Sequence, residues 1–372
     1  MADSRVEKLA KVLVHYSLHV KKGDWVRIEG TSVAQELIRA AYIEILKAGG
    51  NPMPRVGLPR LGHDFYTHAS QDQLKFIPPT ASLETDRLDA SLSIWAGWNS
   101  KELSGVDPKK MAIAQAARKG LFDRYLKRIG SGSLKWCGTM FPNDSSAQDA
   151  EMSLSEYEDF VYRAGKLDQK DPVAEWRKVS RAQARLARFL NTLKTIRIVG
   201  PDTDLSFNVG GRKWINCDGH ENFPDGEIFT GPVENSAEGR IRYTFPAVHG
   251  GREVENVRLT FKQGKVVEAR ADKGEKYLQA MLDSDAGARY VGELAFGTDY
   301  SIKRFTKNTL FDEKIGGTMH IAVGAALPES GGRNKSSLHW DMVCDTRKGF
   351  TVYGDGKPIM KDGKHSRFQI AD

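Results

Sequence analysis

Residues 22–58 read KGDWVRIEGTSVAQELIRAAYIEILKAGGNPMPRVGL, and this stretch decides the fold of the N-terminal half. Trp25-Val26-Arg27-Ile28 is a short strand-forming run set off by Lys22-Gly23. Thr31-Ser32 opens a helix, with Ser32 and Gln35 at capping-box spacing. Leu37, Ile38, Ala41 and Ile45 then form one apolar stripe at helical spacing, which Gly49-Gly50-Asn51-Pro52 stops. Met53 to Leu58 predicts a second strand. A strand, a helix and a strand in that order make a crossover unit, whose two strands lie parallel.

Working outward, Leu92-Ser93-Ile94-Trp95 and Leu134 to Met140 predict further strands, with a helix from Lys109 to Lys127 between them. Trp95 and Trp98 are expected to pack the core or the domain junction. No GxGxxG or GxxxxGK[ST] follows any of these strands, so this half carries no nucleotide-binding fingerprint. Helical patterns from Leu154 to Ala164 and from Val173 to Leu193 carry the chain onward. From Thr195 the texture changes to short alternating segments separated by Gly210-Gly211, Asp225-Gly226, Gly250-Gly251, Gln263-Gly264, Asp355-Gly356 and Asp362-Gly363. Such dipeptides supply the positive φ that tight hairpins need. Two helical stretches are expected here, around Tyr277 to Leu282 and Arg289 to Phe296. The expectation is an α/β domain with a mostly parallel sheet over 1–193, then an α+β domain rich in antiparallel hairpins over 194–372.

The 372 residues are 40% apolar and 28% charged, a core-forming composition rather than a disordered one. Runs such as Ile321 to Leu327 are far too short to span a bilayer. Met1 to Lys11 mixes charges without an apolar stretch, which predicts a cytoplasmic protein with no membrane association. The net charge of +7 comes from 55 basic and 48 acidic residues, and the basic ones are scattered. A solvated helix face accounts for the cluster at Arg177 to Arg188, so no nucleic-acid partner is expected. Cys137, Cys217 and Cys344 are too few and too far apart for a disulfide framework or a paired zinc knuckle.

Chemistry concentrates in the second half. On a strand, His339 and Asp341 point the same way about 6.6 Å apart, while Trp340 and Met342 face the core behind them. An imidazole beside a carboxylate suits zinc, cobalt, manganese or iron. His320 lies amid β-prone apolar residues in Thr318-Met319-His320-Ile321-Ala322-Val323-Gly324. Asp312-Glu313 follows Leu310-Phe311, Glu227 follows the turn Pro224-Asp225-Gly226, and Glu293 interrupts the run Tyr290 to Phe296. Carboxylates in apolar settings need a partner, because burying an unpaired charge is costly. Several of them with two histidines in one domain point to a shared metal site.

Pro224-Asp225-Gly226-Glu227, Gly292-Glu293-Leu294-Ala295, Asp312-Glu313-Lys314, His320-Ile321-Ala322-Val323-Gly324 and His339-Trp340-Asp341 come in the order seen in the thermophilic aminopeptidases, a metallopeptidase family that this chain resembles over most of its length. The resemblance implies a dimeric exopeptidase acting on peptides with a free N-terminus, through two divalent ions (zinc, cobalt, manganese or magnesium) and a water between them. By motif, Glu227, Glu293, His320, His339 and Asp341 would be the ligands, Glu293 bridging, with Glu313 a further ligand or the general base. One position departs: Leu327 stands where the family has a tyrosine that stabilises the tetrahedral intermediate, and Tyr353 and His249 are candidate replacements. A rival reading makes His320, His339 and Asp341 the triad of a mononuclear iron dioxygenase acting on a hydroxylated pyridine, since those enzymes resemble this family distantly. A catalytically weakened homologue kept for binding is a third.

Overall fold

The computed structural model describes residues 3–366. Trp25–Thr31 and Asn51–Gly57 pair in parallel, from Trp25 opposite Asn51 to Thr31 opposite Gly57. The helix between them is Gln35–Lys47 and buries Leu37, Ile38, Ala41 and Ile45, the stripe read from the sequence. Its start differs from expectation. A 3-10 turn, Ser32–Ala34, comes first, and neither it nor the helix is capped by a side chain. The Thr31 hydroxyl donates instead to the Ala96 carbonyl at 2.7 Å, tying the strand ends together. Asn51–Gly57, Trp25–Thr31, Ala90–Trp95, Lys135–Met140 and Asn222–Phe223 form one sheet in that order, parallel throughout. Trp95 and Trp98 are not core residues: they are 41% and 40% exposed, Trp95 closing a strand with its ring over Gly138.

The chain divides into two compact units. One runs to Val173 and takes in Gly219–Phe223; the other comprises Ala174–Asp218 and everything from Pro224 on. This division differs from a boundary at Leu193 by the helix Pro172–Leu190, because Ala182, Leu186, Ala187 and Leu190 sit in the core of the second unit.

The second unit is antiparallel, as expected. One sheet has eight strands and another has five, the latter in the order His339–Cys344, Met319–Gly324, Val291–Gly297, Glu227–Thr230, Ile215–Cys217. Gly250-Gly251, Gln263-Gly264, Asp355-Gly356 and Asp362-Gly363 each join paired antiparallel strands. Gly210-Gly211 and Asp225-Gly226 instead carry the chain from one sheet to another. Glu275–Leu282 is helical. The stretch Arg289 to Phe296 is not: Val291–Gly297 is a strand with all seven residues buried. A strand buried on both faces reads as a continuous apolar run, and periodicity cannot tell it from a buried helix. No helix among the described residues is long and apolar enough to cross a membrane.

Candidate metal centre

The five-stranded sheet has a core face and a chemical face. Leu294, Phe296, Met319, Ile321, Val323, Trp340 and Met342 enter the core. Residues alternate along each strand, so the intervening positions point the other way. Register places His320 opposite Ala295, Asp341 and Glu293 both opposite Ala322, Glu227 opposite Gly297 and His339 opposite Gly324. Each of the five therefore shares the chemical face and has an alanine or glycine opposite it on one side, with Val343 and Cys217 on the other side of His320 and Glu227. Small neighbours leave the space into which the long side chains converge.

Glu293 reaches that face through an irregularity. Val291 pairs with Val323 and belongs to the core, and in a regular ladder Glu293 would follow it there. The register shifts between Val291 and Glu293, so that Glu293 pairs with Ala322 instead. One extra residue in one strand turns every later side chain over. That residue is Gly292, where a Cβ would lie 2.1 Å from the Ala325 carbonyl oxygen.

The side chains interlock. His320 Nε2 lies 3.1 Å from Glu227 Oε2 and 3.2 Å from Glu293 Oε1. His339 Nε2 lies 3.4 Å from Asp341 Oδ2 and 3.6 Å from Glu293 Oε2. His339 Nδ1 donates to the Ala325 carbonyl at 2.8 Å, which fixes the ring and leaves Nε2 aimed at the carboxylates. Glu313 caps the short helix Thr309–Asp312 and joins His320 and Asp341. Ligand atoms of Glu227, Glu293 and His320 lie within 4.8 Å of one another, as do those of Glu293, His339 and Asp341 and those of Glu313, His320 and Asp341.

Sequence reasoning passed over two residues. Lys314 is fully buried, with Nζ 2.7 Å from Glu227 Oε1, bonded to Glu313 and 3.7 Å from Asp225. Its signal was a lysine between an acidic pair and the apolar Ile315. Gln183 is also fully buried; its amide donates to the Cys217 and Glu227 carbonyls at 2.9 and 3.1 Å and accepts from the Thr298 hydroxyl. Nothing local marks Gln183, whose partners are all distant in sequence.

The electrostatics follow from four carboxylates in a site buried around Glu227, Glu293 and His320 and open to solvent at His339. Burial would raise Glu227, but Lys314 and His320 outweigh it and bring its pKa down to about 2. Burial raises Glu293, and the His320 hydrogen bond offsets this only in part. Burial pushes Glu313 up to about 8, further than Lys314 pulls it back. Burial works against protonation of both imidazoles, yet the carboxylates win: His320 is raised, and Asp341 and Glu293 bring His339 to about 10. Asp341 is held well below the usual range by His339, despite its burial. Its Oδ1 is buried without a hydrogen-bond partner. Carboxylate oxygens and imidazole nitrogens converging in this way, with Asp341 Oδ1 and His320 Nδ1 buried and lacking a hydrogen-bond partner, are a donor set that fits divalent cations.

Leu327 is half-buried and begins a 3-10 turn, where its carbonyl accepts from Ser330. Of its candidate replacements, Tyr353 lies on the eight-stranded sheet. His249 stands beside the edge strand His339–Cys344, its ring 5.3 Å from that of Trp340 and within reach of the charge on Asp341.

A buried centre of carboxylates and imidazoles on one face of a sheet defines a metal-dependent enzyme. The thermophilic metalloprotease family (M29) matches residues 2–365, and the chain belongs to that family. It is accordingly a metallopeptidase, a hydrolase that works with divalent metal. Aminopeptidase T of Thermus thermophilus is 28% identical over 96% of this chain and 98% of its own length. Aminopeptidase 2 of Geobacillus stearothermophilus is 26% identical over 99% of both. The structure of the wild-type Thermus thermophilus enzyme superposes with a TM-score of 0.85 at 27% identity, covering 98% of this chain and 99% of that one. The 2,5-dihydroxypyridine dioxygenase of Pseudomonas putida superposes at 0.65 with 12% identity, over 100% of this chain and 99% of that one, a likeness of fold.

Proposed function

We propose that this metallopeptidase is an aminopeptidase, releasing the first residue of a peptide with a free N-terminus at a two-ion centre. The observation that carries this reading is the double membership of Glu293, which belongs to one trio with Glu227 and His320 and to another with His339 and Asp341. Glu227, Glu293 and His320 would hold one ion and Glu293, His339 and Asp341 the second, with Glu293 bridging. Zinc, cobalt, manganese or magnesium bound there would polarise the scissile carbonyl and acidify a water, the help that amide hydrolysis needs near neutral pH.

Glu313 is the general base: its carboxylate takes the proton of the attacking water and returns it to the leaving amine. Its carboxylate lies within 4.8 Å of ligand atoms of His320 and Asp341, one from each trio, within reach of a water that the two ions would hold. Lys314 holds Glu313 and Glu227 in place together. An ion held there could also take the substrate's free α-amine as a ligand, which would restrict cleavage to the first residue. The aminopeptidase names of the full-length relatives agree with the reading. A mononuclear dioxygenase would use His320, His339 and Asp341 but leave Glu227 and Glu293, buried against the same imidazole, without a role.

Metal content and activity measured on one preparation test this. The expected result is about two divalent ions per chain and release of N-terminal residues from aminoacyl-nitroanilides, both lost in Glu293→Gln. One iron per chain, with oxygen uptake on a dihydroxypyridine and no amide hydrolysis, would overturn it.

A further inference from the structure

The parallel sheet has one face buried and one partly open. Val26, Ile28, Leu92 and Ile94 are buried on the first. The residues between them point the other way, and register sets Glu29 opposite Arg55 on one side and opposite Ser93 on the other. A parallel sheet is ordinarily covered on both faces. Here the side chains of Glu29 and Arg55 are 51% and 40% exposed. Small residues, Gly57, Thr31 and Ser93, stand between Arg55 and Trp95, and a hollow of about 800 Å³ opens over them.

Topology places this hollow. Trp25–Thr31 lies between the two strands that follow it in the chain, Asn51–Gly57 and Ala90–Trp95, so the chain leaves it in one direction and returns past it in the other. Right-handed crossovers then put the connecting helices on opposite faces and leave a crevice outside the carboxyl ends, where open α/β sheets take their ligands. The hollow is lined by those three ends, 29–31, 55–57 and 93–96.

Its lining carries both charges. Arg27 lies 3.3 Å from Glu29, and Glu84 bonds to Arg55. Each contact leaves the guanidinium further donors and the carboxylate further lone pairs. The Trp95 ring lies over Gly138, where a Cβ would come within 2.5 Å of it, and it borders the hollow as an apolar wall. We propose that the hollow binds a free α-amino acid with an aromatic or large apolar side chain, its carboxylate on Arg55, its ammonium on Glu29 and its side chain against Trp95. Glu29 and Arg55 stand on neighbouring strands about 4.8 Å apart, which suits two charged ends joined through a single carbon better than the separated ends of a peptide. No group of the metal centre takes part, so the inference goes beyond the aminopeptidase reading and does not depend on it.

Calorimetric titration of phenylalanine into the full-length protein tests this, once with metal loaded and once after stripping with a chelator. Phenylalanine is expected to bind in both states, and glycine at least about tenfold more weakly, for want of a side chain to bury. N-acetylphenylalanine lacks the ammonium and phenylalaninamide the carboxylate, and each is expected to lose at least about tenfold, the usual effect of one hydrogen bond to a charged group. Arg55→Met weakens phenylalanine by a similar factor and leaves phenylalaninamide unchanged, a pattern that general loss of structure would not give. Gly57→Leu, which fills the hollow, abolishes binding; a Cβ at Gly57 meets nothing closer than 3.8 Å, so the fold accommodates it. Binding that disappears with the metal and ignores Gly57→Leu puts the amino acid at the metal centre and overturns the inference. No binding at millimolar phenylalanine overturns it too, as does equal binding of phenylalanine and its two singly charged analogues. Tighter binding of a phenylalanyl dipeptide than of phenylalanine by the stripped protein assigns the hollow to peptides instead.

Discussion

A lysine ammonium with no exposed surface sits between Glu227 and Glu313. Its pKa is raised although burial opposes this, because the two glutamates and Asp225 surround it. Taking away one member of such a group strands the charges that remain, at a cost of about 3–5 kcal/mol. Lys314→Met is therefore expected to destabilise the metal-free protein by about that amount in urea unfolding, and a loss below about 1 kcal/mol would show that the lysine is not a structural counter-charge. At this scale the sequence was legible in part. Glu227, Glu293, Glu313, His320, His339 and Asp341 stood out as charged groups in apolar runs, and the fold brings all six together. Lys314 did not, because a lysine next to acids reads as a solvated surface unless its burial is known. Gln183 was invisible for a different reason: its role exists only through carbonyls brought to it by folding.

Among elements, the strand Val291–Gly297 and the turn after Met319–Gly324 do the positioning. Gly324 has φ +100°, a conformation that suits glycine, and a Cβ there would lie 2.1 Å from the Leu338 carbonyl oxygen. The next residue, Ala325, supplies the carbonyl that orients His339. Gly324→Ala is expected to displace that carbonyl and weaken metal binding by about 10–100-fold, the usual consequence of losing a ligand's outer hydrogen bond. Chelator competition measures the affinity, with circular dichroism confirming the fold; unchanged affinity would mean that His339 needs no such support. Glu293 was placed on a helix by its sequence because the buried strand around it reads as a continuous apolar run, and the bulge at Gly292 turns it to the chemical face. Gly292-Glu293 signalled something unusual, but the face that Glu293 takes depends on its pairing with Met319–Gly324, a partner more than twenty residues away.

For the molecule as a whole, metal, protons and stability are linked. Metal ligation requires neutral imidazoles. In the metal-free protein the surrounding carboxylates raise His320 and His339, the latter to about 10, so on the proposed ligand set each histidine would give up a proton when an ion binds. Affinity should therefore rise with pH, by up to about tenfold per unit for each proton displaced, across the window below about 10 in which His339 is still charged in the metal-free state. The sign is consistent for stability. A histidine whose folded pKa is raised supports the metal-free fold below its unfolded value, and that support fades as pH rises toward 10. Metal should then raise Tm more at pH 8 than at pH 6. Thermal melts of stripped and reloaded protein at the two pH values, with proton release followed by calorimetry, check both statements. Equal metal effects at the two pH values and no proton release would contradict them.

The parallel and antiparallel halves could be read from the chain alone, because a strand, helix and strand within about forty residues, or a glycine turn between short alternating runs, is a local instruction. The candidate ligands could be read as well, since charge in an apolar context is a local anomaly. Three further matters required tertiary structure: that Glu293 crosses to the chemical face, that Lys314 is buried among acids, and that Gln183 gathers the Cys217 and Glu227 carbonyls. Each is a relation between segments far apart in sequence, and only the pairing register and the packing of the sheet bring those segments together.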